Sequence, residues 1–448
     1  MATTLDCELL RDLFGSAEVR EAFDSRALLQ GWLDAERALA EAEAEAGVIP
    51  GAAALRIARE CDASLYDLAA LREGIAETQH PLVPLVRALS ERCGEEGGWV
   101  HWGATTQDIT DTGAVLQVRR ALGPIERDLA RARQGAVLLA AEHRDTPMAG
   151  RSHGQHAVPI TFGLKAASWA DELARCEERL RRAAASALTG QLAGAAGTLA
   201  SLGEHAAPVR AAFCRILGLA EPEVFWHAAR DRFRDLLHAL DEIASAAERI
   251  AAEIVRLQST ELEEAAEPLA SGHVGSSTMP QKRNPMVSEY VVASARILRA
   301  TTSSLRTTTA HAHERDMAIW AIEWLAIPQA LILAGGIVEK LAHVLEGLHV
   351  DPKRMRANIG LTRGQIMAEA VMMALGRSLG HEKSHEVITR ATRQATAEGR
   401  ELSSVLAEDP DIVTRLTPDE LARLLDPSGY LGLAGAAVDA VVRENPAS

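Results

Sequence analysis

The chain has 448 residues, 47% of them hydrophobic and only 4% aromatic, with a formal net charge of -15. That is core enough for two or three domains, and an acidic chain without a dense basic stripe lacks the electrostatic footprint that nucleic-acid backbones require. No signal-peptide pattern opens the chain, apolar stretches read as broken by charge, and five cysteines without a CxxC pair point to free thiols, so the expectation is a cytoplasmic protein with no membrane span.

Abundant Ala, Leu, Glu and Arg with few strand formers predict an all-α protein. In chain order, helices are expected over 26–46, 53–63, 109–121, 125–144 and 160–185. Residues 227–267 hold no Gly or Pro, and Leu236, Leu240, Ile243, Ala247, Ile250, Ile254 and Leu257 recur at helical spacing. A second breaker-free span covers 286–327. Each would form a helix about 60 Å long, which must pack side by side with others to bury its apolar face. Shorter helices follow at 329–348, 364–378, 383–398 and 417–425. Gly and Pro cluster at 94–98, 148–159 and 271–285. The first of these breaks and the stretch near Asp351-Pro352, flanked by short helices with the long ones between, predict three helical domains: residues 1–98, a central long-helix bundle over 99–350 carrying the 271–285 loop, and 351–448.

The loop runs Ser271-Gly272-His273-Val274-Gly275-Ser276-Ser277-Thr278-Met279-Pro280-Gln281-Lys282-Arg283-Asn284-Pro285. By composition alone it reads either as a solvated Gly/Ser connector or as a mobile loop placing a cation and an amide near two hydroxyls. The fixed pattern Gly275-Ser276-Ser277-x-Met279-Pro280-x-Lys282-x-Asn284-Pro285 resembles the signature of the fumarase/aspartase superfamily. His101 to Thr112 and Gly150 to Pro159 resemble that family's two other signature regions, in the same order. Arg26 to Leu33 and Asp426 to Gly432 resemble its adenylosuccinate lyase and 3-carboxy-cis,cis-muconate cycloisomerase branch, so the likeness runs from about residue 15 to about residue 440.

The resemblance implies anti β-elimination from a succinyl group through a carbanion that puts two charges on one carboxylate. Such chemistry needs a base for the Cβ proton, donors and cations for the aci-carboxylate, and an acid for the leaving heteroatom. By position in the motifs, Ser276 is the base, Lys282 and Asn284 bind the carboxylate, and Thr105, Thr106 and Ser152 donate hydroxyls to it. His153 matches the general acid and Glu289 the carboxylate that orients it; taken alone, His153 reads as an ordinary loop histidine. His80, His101 and Arg315 match further substrate-binding positions. The resemblance also implies a homotetramer whose active sites draw on three subunits, acting on a small dicarboxylate without a cofactor.

No P-loop, GxSxG elbow or GxGxxG occurs in a strand–helix context, and His311-x-His313-Glu314, placed on a helix, would splay its imidazoles by about 200°, so no metal is expected. In adenylosuccinate lyases the stretch resembling His313 to Met317 is followed by a serine and an arginine that bind the nucleotide phosphate; here Trp320 and Trp324 stand there. Trp320-Ala321-Ile322-Glu323-Trp324 is more similar to the cycloisomerase branch, whose bacterial members commonly lack the histidine that this chain keeps at 153. The combination predicts a lyase that releases fumarate from a small substituted succinate, with C–N cleavage favoured. A carboxymuconate cycloisomerase, an adenylosuccinate lyase and an inactive structural relative are the alternatives.

Overall fold

The computed structural model describes residues 4–269, 279, 281–305 and 310–445. Among these, helix dominates, and strand is confined to two two-stranded sheets and an isolated bridge between Thr189 and Ala220, in keeping with the all-α expectation. The chain forms two compact units, Met1–Leu129 with Arg175–Glu248 and Tyr290–Glu339, and Ala130–Ala174 with Arg249–Glu289 and Lys340–Ser448.

In the first unit, Asp24 accepts the Ala27 amide and starts the helix Ser25–Glu45, which packs on Gly51–Glu60 and Ala206–Leu217. Where this helix meets the one that begins at Thr106, Gly31 and Gly113 face each other. A Cβ on Gly113 would lie 2.6 Å from the Trp32 ring, so only glycine permits the approach. Gly336 does the same for the N-terminal segment, since its Cβ would sit 2.3 Å from the Phe14 carbonyl oxygen.

Several elements differ from the sequence expectation. The helices predicted at 109–121 and 125–144 are one, Thr106–Glu142, continuing through Pro124. The breaker-free span 286–327 is two helices, Met286–Leu305 and Met317–Glu346, the second continuing through Pro328. Their separation follows from Asp316, whose carboxylate accepts the Ala312, Ala318 and Ile319 amides and so caps a new helix. His311 and His313 therefore lie ahead of that helix, His313 at φ 54°, and the helical splay assumed for them does not apply. The helix expected across 227–267 is shorter, Asp231–Leu257, about 40 Å. Beyond it the chain turns at Glu263 (φ 50°), and Ala265–Ala266 pairs with His349–Val350. Contrary to the reading of its apolar stretches, Met317–Glu346 is long and apolar enough to cross a membrane; 61% of its most apolar window is buried, as in a core helix.

The second unit contains a hairpin that composition did not reveal. Pro147–Ser152 and Gln155–Thr161 pair antiparallel, with Ser152 opposite Gln155 and a register shift between Ala149 and Arg151. The connecting His153 and Gly154 both have positive φ (53° and 74°), the requirement of a type I′ turn. Further along, Ala368–Leu379 and His381–Glu398 pack around Val371, Leu375, Val387, Ile388 and Leu402.

One core position of the first unit stores a pH dependence. Glu43 is 0% exposed, and neither carboxylate oxygen has a hydrogen-bond partner among the described residues. Burial, with the charge of Glu36 adding to it, pushes the Glu43 pKa from 4.5 to about 9. A pKa raised on folding gives stability that is full below the unfolded value and is lost as pH rises through the folded one. Glu43→Gln should therefore gain stability relative to the native chain by about 1.4 kcal/mol per pH unit between pH 5 and 9. Urea unfolding at pH 5.5, 7 and 8.5 reads this slope, and a flat difference would show that Glu43 does not titrate as buried.

Candidate active site

Thr105 and Thr106 stand at the start of the long Thr106–Glu142 helix. Asp108, 0% exposed, organises that end: it accepts the amides of Thr105 (3.0 Å), Ala193 (2.9 Å) and Gly194 (2.9 Å) and meets His227 Nε2 at 3.0 Å. The Gln107 amide nitrogen donates to the His227 carbonyl (3.0 Å), and its oxygen accepts from Arg315 Nε (2.8 Å). Arg315 also donates to the Ala195 carbonyl at 3.1 Å, so its guanidinium is fixed beside the helix start.

His80 reaches the same helix start. Its Nδ1 accepts the Val83 amide (3.3 Å), which leaves Nε2 protonated and donating to Thr106 Oγ1, also at 3.3 Å. His101, at φ 60°, places Nδ1 2.6 Å from the buried Glu36 carboxylate. Burial disfavours a charged ring there, but the charge of Glu36 and its hydrogen bond outweigh it and hold the His101 pKa above its ordinary value.

In the second unit, Ser152 and His153 sit exposed at the hairpin tip, aimed by the type I′ turn. Behind them Arg151 is clamped by the buried Glu264 carboxylate at 2.6 and 2.8 Å, and Glu264 also accepts the Asn358 amide. Lys282 is exposed, Asn284 half-buried and Glu289 exposed on the first turn of Met286–Leu305. Glu267 anchors this segment by accepting the Val287 amide (3.1 Å), the Ser288 amide (3.0 Å) and the Ser288 hydroxyl (2.9 Å). Gln258 ties both ends, receiving the Glu267 amide and donating to the Arg283 carbonyl. Glu267→Ala should cost about 1–3 kcal/mol by stranding these donors, and should speed hydrogen exchange at Val287 and Ser288. Unchanged exchange at both amides would refute the anchoring role.

Thus Thr106 joins His80, Gln107 joins Arg315, and Lys282, Asn284 and Glu289 share one anchored segment. His153 and Glu289 make no hydrogen bond or ion pair with each other within the chain. Ser276 lies outside the described residues. The sequence reading missed Asp108, Gln107, His227, Glu36 and Glu267; only Asp108 left a sequence signal, the spacing Thr105-x-x-Asp108 of a capping pair.

Two family models match the chain, one described as Lyase over residues 15–298 and one as Adenylosuccinate lyase C-terminus over residues 364–441. The chain belongs to the fumarase/aspartase superfamily. It is 42% identical to a 3-carboxy-cis,cis-muconate cycloisomerase of Pseudomonas aeruginosa, with 98% of this chain and 97% of that one covered. It is 36% identical to an N-acetyl-S-(2-succino)cysteine lyase of Dickeya dadantii over 98% and 97%. The crystal structure of the 3-carboxy-cis,cis-muconate lactonizing enzyme of Pseudomonas putida superposes with a TM-score of 0.93 at 39% identity, covering 98% of this chain and 99% of that one. The chain is therefore a superfamily lyase of all-α fold.

The two tryptophans that the sequence reading aligned with the phosphate-binding positions of adenylosuccinate lyases take different places. Trp320 is 3% exposed and donates its indole N–H to Asp111 (2.9 Å), whereas Trp324 is 39% exposed and packs edge-on against it at 4.9 Å. Asp111 and Glu323 both bind Arg230, which is 5% exposed.

Proposed function

We propose that this lyase carries out the cycloisomerase reaction, in which an internal carboxylate oxygen of a small tricarboxylate adds across a C=C bond while a proton reaches the neighbouring carbon. The supporting observation is full-length likeness, 42% identity to a named cycloisomerase across nearly both chains. Ser276 exchanges the proton at carbon; Lys282, Asn284, Thr105, Thr106 and Ser152 hold the aci-carboxylate; His80, His101 and Arg315 bind the remaining carboxylates. The functional assembly is a homotetramer with active sites shared among three subunits.

A second reading, fumarate release from a small substituted succinate by C–N or C–S cleavage, is favoured by His153. It is exposed at a turn tip with no hydrogen bond among the described residues, an acid that lactone chemistry does not need. The 36% identical succinocysteine lyase supports this reading too.

An ultraviolet absorbance panel tests both, using 3-carboxymuconate and its lactone, aspartate, nitrosuccinate, N-acetyl-S-(2-succino)cysteine, argininosuccinate and adenylosuccinate. Turnover confined to carboxymuconate or its lactone is the expected result. Fumarate release without carboxymuconate turnover would replace the first reading by the second. Efficient adenylosuccinate cleavage would overturn both, because phosphate would then be bound without the missing arginine.

A further inference from the structure

The first unit encloses a cavity of about 350 Å³, every lining residue of which belongs to that unit. This lies within the ~300–1,000 Å³ usual for small-molecule sites. Its walls are Trp32, Phe233, Trp320 and Trp324, with Leu28 and Ile327 between them. The half-exposed Trp324 is the most open of the aromatic walls, while Trp320, Phe233 and Ile327 are buried. Carboxymuconate, a short diene bearing three carboxylates, offers no uncharged apolar substituent to fill such a space, so the reaction proposed above leaves the cavity unexplained.

The charged groups of the wall, and its Trp320, Gln117 and Thr110 donors, are already engaged. Arg230 donates to Asp111 at 2.6 and 3.0 Å and to Glu323 at 3.1 Å. The Trp320 N–H is taken by Asp111, the Gln117 amide donates to the Ala22 carbonyl (2.9 Å), and the Thr110 hydroxyl donates to the Thr106 carbonyl (3.0 Å). Two carboxylates stand against one guanidinium, so an entering anion would find excess negative charge and, besides the ion-paired Arg230, only neutral donors such as the Trp32 and Trp324 indole N–H groups. An uncharged ring would exchange water for aromatic faces and edges. Thr110 and Pro81 place the cavity one helical turn from Thr106 and beside His80.

We propose that this cavity binds an uncharged planar apolar group and rejects its anionic counterpart. The group belongs either to a free small molecule or to a substituent of the substrate, both of which present the same surface to the tryptophans.

Benzamide and benzoate, matched in shape and opposite in charge state at pH 7.5, serve as probes in calorimetric titrations of the purified protein. Benzamide should bind saturably and at least tenfold more tightly than benzoate. Ala114→Phe, which fills the cavity from the Thr106–Glu142 helix, should weaken benzamide at least tenfold; Ile327→Phe fills it from the Met317–Glu346 helix and serves where the first variant does not fold. Competitive inhibition of turnover by benzamide assigns the group to the substrate, and binding without effect on turnover assigns it to a separate molecule. Absence of saturable binding, equal affinity for benzoate, or binding unaffected in a folded filled variant overturns the proposal. The titration needs no turnover, so it reads the cavity independently of the substrate panel.

Discussion

Arg230→Met is expected to destabilise the protein by about 3–5 kcal/mol, the usual cost of stranding one side of a buried ion pair. The guanidinium is buried among Trp226, Phe233 and two carboxylates, with its carbon 4.7 Å from the centre of the Trp226 ring. Burial works against its charge, but Asp111 and Glu323 outweigh burial and raise the Arg230 pKa above its ordinary value. Burial already holds the Glu323 pKa above the usual carboxylate range, against the opposing pull of Arg230. Without Arg230, two buried carboxylates face each other, so one must take up a proton on folding. A carboxyl pKa raised by folding gives stability that is lost as pH rises, and the deficit of Arg230→Met should therefore be smaller at pH 5 than at pH 8. Adding Asp111→Asn and Glu323→Gln should recover part of the loss, because neither amide needs the cation. Urea unfolding at the two pH values decides; a loss under about 1 kcal/mol at pH 8 would mean that water reaches the cluster.

The second large effect is on turnover. Ser276→Ala and His153→Ala should each lower kcat by roughly 10²–10⁴ for a substrate that needs both a base and an acid. Affinity should change little in Ser276→Ala, whose loss falls on proton transfer rather than on ground-state binding. His153 and Glu289 do not meet within one chain, and the proposed assembly supplies the missing partner from another subunit. For a substrate of that kind, mixing the two variants after dissociation and reassociation should therefore restore part of the activity, since some sites receive an intact residue of each kind. A fully active monomer by light scattering, or mixtures that stay inactive, would remove the shared-site proposal.

The loop signature named the superfamily because its residues are fixed by chemistry, and chemistry is carried by residue type and spacing. The same holds for the all-α class, legible from abundant helix formers. Helix ends were less legible, because they depend on competition between local signals. Pro124 and Pro328 looked like stops, yet both helices run through them where tertiary packing outweighs one lost backbone hydrogen bond. Asp316 looked like part of a continuous helix, yet its carboxylate caps a new one.

By itself, the sequence determined the family and the helical class, and it named the segments proposed to carry the reacting groups. Only the tertiary structure decided what holds them: Asp108 across to residues 193, 194 and 227, Glu267 across to 287 and 288, and Arg230 between Asp111 and Glu323. Each of these partnerships joins residues far apart in the chain, or turns on burial, and neither long-range contact nor desolvation is written in local composition. The aromatic cavity has the same origin, since Trp32, Phe233 and Trp320 face one space only after distant segments of the chain have packed.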